Sequence, residues 1–336
     1  MKPIEIIGGG VAGLSLGIAL RTRGVPVTLR EAATYPRHRL CGEFINGVSQ
    51  ATLDKLGVAP FLHDAGQEQR TRWWREDRLL LERHLVRPAR TLSRWRMDAR
   101  LADGFKQLGG DLRVAERAEP SGGEGCVRAT GRRHHRGSDW MGLKAHFTGV
   151  GGVDGLEMHL GEGGYVGLAA VEDGRVNVCG LFHRRQGLAG KGAGKLLAYL
   201  EACGLTNLVN RLQAADADER SLTGVSGVVF GKQTGGGFSI GDAERIIPPF
   251  TGNGMSMAFE AAECALDPLV AWAGGDLAWP EAEALASRAM EKRFSARMHW
   301  ARALQGLLMK KAGRQLLDGL AAPGLIPFAY LNRRLT

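Results

Sequence analysis

Apolar positions near the N-terminus of this chain follow the order of a strand, a turn, a helix and a second strand. Ile4–Ile7 form a short apolar run, and a glycine-rich turn separates them from a stretch of helical spacing that extends to about Arg23. A second apolar run, Val25–Leu29, leads to Glu31. This order predicts a βαβ unit.

Further elements are predicted up to residue 130. The segment from Tyr35 to Gly47 is rich in Arg, Gly and Pro, and we expect it to be an ordered loop rather than a regular element. The elements expected after it are a helix capped by Ser49 and ending at Leu56, a hairpin over Arg70–Leu85 that turns at Glu76-Asp77, a helix over Arg94–Leu108, and strands over Asp111–Val114 and Val127–Thr130 that return to the first sheet.

The middle of the chain has a different pattern. Short alternating or apolar runs separated by Gly-rich turns predict an antiparallel sheet, and they lie at Lys144–Phe147, Leu156–Leu160, Tyr165–Ala170 and Val176–Phe182. Helices are predicted at Lys195–Cys203, Met255–Trp272 and Glu281–Leu308. The last segment, Leu304–Leu335, alternates Lys and Arg with Leu and aromatic residues.

Composition narrows the class of protein. The five cysteines among 336 residues are widely separated and form no CxxC pair, which argues against a disulfide framework or a zinc site. We recognise no signal peptide before Ile4 and no run of about 18 apolar residues that predicts a spanning helix. We therefore expect a cytoplasmic protein that is soluble or peripheral to the membrane.

The net charge of +9 leaves several partners open. A solvated basic surface accounts for it, while a phosphate-bearing ligand, an acidic carrier protein or an anionic membrane surface are alternatives. Trp73-Trp74 are neighbours on a predicted strand and point to opposite faces, so we do not predict nucleic-acid stacking. The histidines His134, His135 and His146 lack a metal-ligand pattern, and we predict no metal site.

The glycine-rich turn carries the first candidate site. Gly8, Gly10 and Gly13 follow a predicted strand and open a predicted helix, and Glu31 ends the next strand. In this context the glycines permit a tight turn, a close approach of a pyrophosphate and close packing of helix against strand, while Glu31 accepts hydrogen bonds from a ribose. The predicted cofactor contacts here are Gly8, Gly10, Val11, Ala12, Gly13 and Glu31.

A second glycine-rich segment lies far downstream. Phe238-Ser-Ile-Gly-Asp-Ala243, followed by Pro248-Pro-Phe-Thr-Gly-Asn-Gly-Met255 and a helix, resembles the Gly-Asp motif of flavoprotein monooxygenases of the para-hydroxybenzoate hydroxylase type and of geranylgeranyl reductase-like enzymes. The resemblance implies FAD, with Asp242 on the ribityl chain and a helix N-terminus near the flavin pyrimidine ring. The residues implied are Gly241, Asp242, Gly252, Asn253, Gly254 and Met255.

A third segment, Pro36-Arg-His-Arg-Leu-Cys-Gly-Glu43, is similar to the Cys-Gly-Glu loop of geranylgeranyl reductases. The similarity implies that Arg39 or Arg37 lies near the phosphates and that Cys41 and Gly42 lie near the flavin ring. Cys41 is thus a candidate catalytic thiol, with a buried packing role as the alternative. Arg94, in a smaller match, is implied as a further cofactor contact, with a solvated surface charge as the alternative.

Departures from the family pattern limit the reaction. Thr130 stands where many hydroxylases carry an aspartate that serves FAD and NAD(P)H, which puts NAD(P)H as electron donor in doubt. The strand around Tyr165 lacks the Trp-rich motif of flavin-dependent halogenases, so we do not predict halogenation. Tyr165 is a second candidate catalytic residue, with core packing as the alternative.

These observations predict an α/β fold with a Rossmann-like FAD-binding domain, an interleaved antiparallel-sheet substrate domain and C-terminal helices. The predicted boundaries are 1–66, 90–135 and 236–275 for the FAD-binding domain, 67–89 and 136–235 for the substrate domain, and 276–336 for the helical segment. The predicted function is reduction or dehydrogenation of a hydrophobic isoprenoid or polyketide-like molecule. The alternatives are an FAD-dependent aromatic monooxygenase and a non-catalytic FAD-binding protein.

Overall fold

The computed structural model describes every residue except 77, 134, 189, 322–324 and 336. The strands are β1 (Ile4–Ile7), β2 (Val27–Glu31), β3 (Phe44–Ile45), β4 (Gly66–Arg75), β5 (Arg78–Thr91), β6 (Asp111–Val114), β7 (Cys126–Arg128), β8 (Trp140–Thr148), β9 (Leu156–Gly161), β10 (Gly164–Ala170), β11 (Arg175–His183), β12 (Asp216–Ser226), β13 (Gly231–Lys232) and β14 (Arg245–Ile246). The helices are α1 (Val11–Thr22), α2 (Gln50–Leu56), α3 (Arg94–Gln107), α4 (Ala193–Ala202), α5 (Thr206–Gln213), α6 (Gly254–Gly274), α7 (Trp279–Met309), α8 (Lys311–Ala321) and α9 (Phe328–Leu335).

The first sheet, sheet A, is parallel and has the strand order β6-β2-β1-β7. This arrangement confirms the predicted βαβ unit and the return of both later strands to the first sheet. Helix α1 is buried along nearly its whole length, and α6 packs beside it. The Ser49 hydroxyl accepts a hydrogen bond from the Thr52 N–H, which confirms the predicted cap of α2.

The second sheet, sheet B, has eight strands in the order β12-β8-β11-β10-β9-β4-β5-β3. Its pairings are antiparallel except that of β4 with β9, which is parallel. The four predicted middle strands, β8 to β11, all pair antiparallel with one another, which confirms the predicted antiparallel sheet. The predicted hairpin is formed by β4 and β5, and Asp77 of its turn lies outside the described residues.

Two elements of the middle region were missed. Strand β12 begins Asp-Ala-Asp-Glu-Arg, which reads as a solvated loop, yet it pairs with β8 along the edge of sheet B. Helix α5 has only eight residues, of which Leu208, Val209 and Leu212 are buried. Short elements whose burial depends on a distant partner leave little periodic signal in the sequence.

The two faces of sheet B meet different surroundings. On the back face, Leu168 and Val178 pack against α4 and α5. On the front face, strand pairing aligns Trp73, Met158, Gly167, Cys179 and Lys144 in one row, because directly opposite residues share a face. The front face is covered by the loop that precedes β3 and by the C-terminal helices.

The C-terminal helices complete the architecture, which confirms the predicted fold class. Helix α7 runs for 31 residues along α6, and α8 and α9 fold back towards β5. Across the residues with described positions, no helix is long and apolar enough to cross a bilayer.

Candidate functional site

The glycine turn at the start of α1 has both closely packed and open positions. Gly8 has φ +114°, and a Cβ atom there would overlap the carbonyl of Ala129. A Cβ at Gly13 would overlap the Gly8 carbonyl, so helix and strand pack closely at this point. Gly10 differs, because a Cβ there would meet only Arg94 Nη2, at 3.8 Å. The second glycine therefore borders open space at a helix N-terminus that no side chain caps.

Glu31 is held beside this turn by backbone groups. Its Oε2 accepts the Gly9 N–H at 2.8 Å and its Oε1 accepts the Ala33 N–H at 3.0 Å. The Tyr35 hydroxyl donates to the Gly9 carbonyl at 2.5 Å. The carboxylate is thus fixed at the end of β2, and it retains lone pairs for a further donor.

Arg39 and Arg94 converge on one buried carboxylate, that of Asp98. Arg94 donates from Nε and Nη2 to the two Asp98 oxygens, each at 2.7 Å, and Arg39 Nε donates at 3.1 Å. Arg39 Nη2 also lies 3.3 Å from Glu31 Oε2. Burial opposes the charge of Arg94, but Asp98 outweighs it and raises the pKa of the guanidinium. Both arginines are therefore fixed cations over the glycine turn.

Sequence reasoning did not select Asp98 as a site residue. Its spacing of four residues from Arg94 on one helix is the signal that marks such a pair. The side chain is fully buried, which the sequence alone did not show. Asp98 positions two cations and itself faces the protein.

The two glycine motifs meet in space although more than 220 residues separate them. Gly241 has φ +63°, and a Cβ there would lie 2.9 Å from the Cβ of Ala12 in the first turn of α1. Asp242 follows it, and its carboxylate makes no hydrogen bond with any residue that the structure describes. Burial raises the pKa of Asp242, while Arg132 and Arg94 oppose that shift. The carboxylate therefore has free acceptor capacity next to the glycine turn.

The second glycine turn lies at the N-terminus of α6. Gly252 has φ +67°, and a Cβ there would overlap the ring of Phe44. A Cβ at Gly42 would lie 2.9 Å from the same ring, so one aromatic side chain makes both positions depend on glycine. Asn253 is buried, and its Nδ2 donates to the carbonyl of Leu335 at the end of α9. Close packing is thus a structural reason for Gly42 and Gly252, beside the predicted cofactor contacts.

Gly254 and Met255 occupy different environments at this helix start. A Cβ at Gly254 would meet no atom within 4 Å, whereas Met255 is 6% exposed and belongs to the core beneath sheet A. Val11 and Ala12 are likewise buried in that core. The side chains of Val11, Ala12 and Met255 therefore face the protein, which leaves their backbone groups as the parts that can face a ligand.

Cys41 lies against the front face of sheet B. Its carbonyl accepts the Asn177 Nδ2 at 3.0 Å, and its Sγ accepts the Glu43 N–H at 3.4 Å. Burial raises the pKa of the Cys41 thiol, although Arg94 opposes that shift. The group is therefore a neutral thiol near neutral pH, which disfavours a nucleophilic thiolate.

An apolar cavity lies between the front face of sheet B and the C-terminal helices. Its volume is about 110 Å³. Its walls come from sheet B, from the segment before Gly252 and from α7 to α9, and include Phe44, Trp73, Met158, Phe250, Leu308 and Phe328. The apolar positions Phe328, Leu331 and Leu335 of α9 all line it, so this cavity accounts for the amphipathic pattern of that helix.

Tyr165 lies beside this cavity rather than in its wall. It is 3% exposed, its hydroxyl accepts the Phe250 N–H at 3.1 Å, and its ring meets the Phe250 ring edge to face at 6.2 Å. Burial raises the pKa of Tyr165 well above 10. The side chain packs under the turn that precedes Gly252.

Two polar side chains in the cavity wall have no partner in the described part of the chain. Asn46 is 6% exposed, and neither end of its amide makes a hydrogen bond. The Thr71 hydroxyl, on the front face of β4, makes none either. Both residues line the cavity, so their side-chain polar groups are available to a ligand. No sequence pattern marked either residue as a site residue, because this space is enclosed only by the tertiary arrangement.

The arrangement fits FAD. An uncapped helix N-terminus faces open space at Gly10, two fixed arginines lie over it, and the Asp242 carboxylate beside it lacks a partner among the described residues. These are the donors and acceptors that a pyrophosphate and a polyol chain require.

Comparison with known proteins agrees with this assignment. Residues 2–154 match the family model of the FAD binding domain, and nothing among the curated proteins matches the chain. The probable FAD-dependent monooxygenase PqsL from Pseudomonas aeruginosa is 15% identical with a TM-score of 0.71, over 94% of this chain and 99% of the other.

Two further solved structures share the fold. p-Nitrophenol 4-monooxygenase PnpA from Pseudomonas putida DLL-E4 is 14% identical with a TM-score of 0.75, over 100% of this chain and 97% of the other. The flavin-dependent brominase Bmp2 is 15% identical with a TM-score of 0.76, over 99% of this chain and 92% of the other.

Fold and site together define a flavoprotein whose cofactor is FAD. Residues 2–154 form an FAD binding domain, and the chain as a whole shares its fold with solved flavin-dependent monooxygenases and halogenases.

Proposed function

We propose that this enzyme is an FAD-dependent monooxygenase that hydroxylates a small, mainly apolar, ring-containing molecule. The observation that carries the proposal is the apolar cavity, whose wall includes Phe44 and Thr251. These residues lie beside the Cys41-Gly42 turn and the Gly252–Gly254 turn. A cavity in this position brings a bound substrate to the turns that we assign to the flavin. The shared fold with PqsL and PnpA supports the choice of monooxygenase over reductase.

In this proposal the N–H groups at the N-terminus of α1 bind the FAD pyrophosphate, with Arg39 and Arg94 as neighbouring cations. Glu31 accepts hydrogen bonds from the adenosine ribose, and Asp242 binds the ribityl chain. The N-terminus of α6, at Gly252–Gly254, places its positive dipole end towards the isoalloxazine. Bound FAD supplies electron transfer to oxygen, and the protein supplies orientation and a dry cavity.

The cavity also indicates a class of substrate. Its apolar walls favour a hydrophobic body, and the unpaired amide of Asn46 with the hydroxyl of Thr71 favours one polar substituent. A substrate that left both groups without partners would lose affinity, because a desolvated polar group without a hydrogen bond is costly. Nothing in this wall favours a long isoprenoid chain over a compact ring.

A reductase or dehydrogenase is the second candidate. It is favoured by the similarity of the Cys41-Gly42-Glu43 loop to that of geranylgeranyl reductases and by Thr130 in place of a carboxylate. In this case the neutral Cys41 thiol is a candidate proton donor near the flavin.

Anaerobic stopped-flow spectroscopy separates the two candidates. NADPH or NADH is added to the oxidised holoenzyme and oxygen is then mixed in, with and without aromatic ligands that bind the cavity. A monooxygenase is expected to be reduced by the nicotinamide, faster with ligand, and to show a transient absorbance distinct from oxidised and reduced flavin. Reduction by dithionite alone with no transient would favour the reductase.

A peripheral membrane contact or a carrier-protein partner remains a proposal. It draws on the basic residues of the C-terminal segment, among them Lys311, Arg333 and Arg334, which are exposed. Flotation with anionic liposomes and co-migration with an acidic carrier protein check the two partners separately.

A further inference from the structure

Three charged or titratable side chains are completely buried behind the Cys41-Gly42 turn. Glu43, Lys144 and His146 each have a side-chain exposure of 0%. Lys144 Nζ lies 2.9 Å from Glu43 Oε1, and His146 Nε2 lies 2.5 Å from Glu43 Oε2. Lys144 and His146 are two residues apart on β8, so both point from the front face of sheet B.

Glu43 also joins elements outside sheet B. Its Oε1 accepts the N–H of Arg94 at the start of α3 at 3.0 Å, and its carbonyl accepts the Leu92 N–H at 3.1 Å. Its backbone has φ +56°, a conformation that residues other than glycine rarely adopt. A residue keeps this conformation only where other contacts hold it in place. Here the contacts of the Glu43 carboxylate hold it.

The Cys41-Gly42 turn is also held against sheet B by contacts on both sides of Glu43's own contacts, from Asn177 and from Leu40. Asn177, which is opposite His146 in the register of β11 and β8, donates to the Cys41 carbonyl. Leu40 packs on Gly142 of β8, where a Cβ would overlap the Leu40 side chain. The loop therefore contacts sheet B through Leu40, the Cys41 carbonyl and the buried Glu43 carboxylate, and also through His38, whose Nδ1 lies 3.4 Å from Lys144 Nζ.

We propose that Glu43 is a positioning residue for FAD binding: its contacts with Lys144 and His146 hold the Cys41-Gly42 turn against sheet B in the place where it contacts the flavin. This inference depends on the proposed cofactor site, because it assigns the Cys41-Gly42 turn to that site. The Glu43 side chain is fully buried among protein groups, so it acts through the turn.

The chain contains a matched control for this cluster. Glu157 is also buried and lies 2.9 Å from His159 and 2.8 Å from Arg211, but on the back face of the same sheet. Glu43→Gln and Glu157→Gln therefore each remove one buried carboxylate charge beside a histidine and a cation. Only Glu43 is attached to the flavin-side turn.

The test titrates FAD into the apoenzyme of each variant and measures the dissociation constant by flavin fluorescence, with circular dichroism as the check of folding. Glu43→Gln is expected to weaken FAD binding at least tenfold and to shift the visible spectrum of the bound flavin, while Glu157→Gln stays within threefold of the native enzyme. Lys144→Gln, which removes the cation and keeps the carboxylate, is expected to weaken binding in the same way if Glu43→Gln does not fold.

Native FAD affinity in a folded Glu43→Gln or Lys144→Gln enzyme would overturn the proposal, and so would an equal loss in Glu157→Gln. Asp242→Asn is measured in parallel and reports on the cofactor site itself. Native affinity in Asp242→Asn would count against the assigned FAD site, whereas a loss there with native affinity in Glu43→Gln would reject the positioning role alone.

Discussion

Each face of sheet B is in contact with a cluster of one buried glutamate, one histidine and one cation, and the two clusters lie in different surroundings. On the front face, Glu43 comes from a loop more than 100 residues away from Lys144 and His146, and all three side chains are fully buried. On the back face, Glu157 and His159 belong to one strand, and Arg211 of α5 is 24% exposed.

The difference shows that two clusters of similar composition can have different structural roles. The back-face group joins a strand to the helix that covers it and remains in touch with water. The front-face group joins a loop to the sheet in a dry environment, where removal of one partner leaves an uncompensated charge. The front face also lines the cavity. Met158 in the cavity wall lies three strand spacings of about 4.8 Å from Lys144, which is a distance of about 14 Å.

The largest expected effect concerns stability. Glu43→Ala is expected to lower the free energy of unfolding by about 3–5 kcal/mol, because Lys144 stays buried without its carboxylate. Glu157→Ala is expected to cost less, about 1–3 kcal/mol, since Arg211 can reach water. Urea unfolding of the two apoenzymes measures both values. Equal costs would show that the two groups are energetically alike.

Core packing on the back face is expected to affect stability but not the ligands. Leu168 is 1% exposed, and Leu168→Ala is expected to cost about 2–4 kcal/mol by opening a cavity between the sheet and its helices. FAD affinity should remain native, as measured by fluorescence titration on the folded variant. A tenfold weaker affinity would mean that the back face also controls the site.

Acid is expected to destabilise both faces. Burial raises the pKa of Glu43, but the His146 hydrogen bond and the Lys144 charge outweigh it, so the pKa is lowered; His159 and Arg211 do the same for Glu157.

As the pH falls, the unfolded chain therefore binds protons at Glu43 and Glu157 at a higher pH than the folded protein does. The stabilisation that these two carboxylates provide is present above about pH 4.3, the ordinary glutamate pKa. It is lost as the pH falls towards their pKa values in the folded protein, by up to about 1.4 kcal/mol per pH unit for each proton. Urea midpoints from pH 7 to pH 3 should fall less steeply in Glu43→Gln than in the native enzyme.

A smaller effect is expected in the cavity wall. Asn46→Leu removes the unpaired amide and is expected to weaken a ligand with a polar substituent by about 1–2 kcal/mol, roughly tenfold in dissociation constant. Leu85→Met in the same wall is the control and should bind the ligand normally. Isothermal titration with ligands that differ only in this substituent decides whether Asn46 selects the substrate.

The smallest effect is expected at Gly167, in the middle of the front-face row. A Cβ there would meet its nearest atom at 3.6 Å, an ordinary contact, so Gly167→Ala should change stability by less than about 1 kcal/mol. Gly142→Ala is expected to cost more, because its Cβ would displace Leu40. Thermal unfolding of the two variants compares open and covered parts of the same face.

Local sequence patterns determined much of the fold and the cofactor. Gly8, Gly10 and Gly13 with Glu31 form a local unit, because turn, helix start and strand end follow from backbone sterics within about 25 residues. Ser49 likewise caps its helix through a contact three residues away. The Gly-Asp segment at 241–242 indicated FAD by its resemblance to known flavoproteins, a comparison of sequence that requires no structure.

The contacts between these motifs, by contrast, depend on tertiary packing. The pairing of Glu43 with Lys144, the meeting of Gly241 with Ala12, and the cavity containing Asn46 all join residues far apart in the chain. Such contacts leave no period in the sequence, because they depend on the register of sheet B and on where the C-terminal helices fold back. The sequence alone thus determined the cofactor and its glycine turns, and packing decided the shape, dryness and polarity of the space beside them.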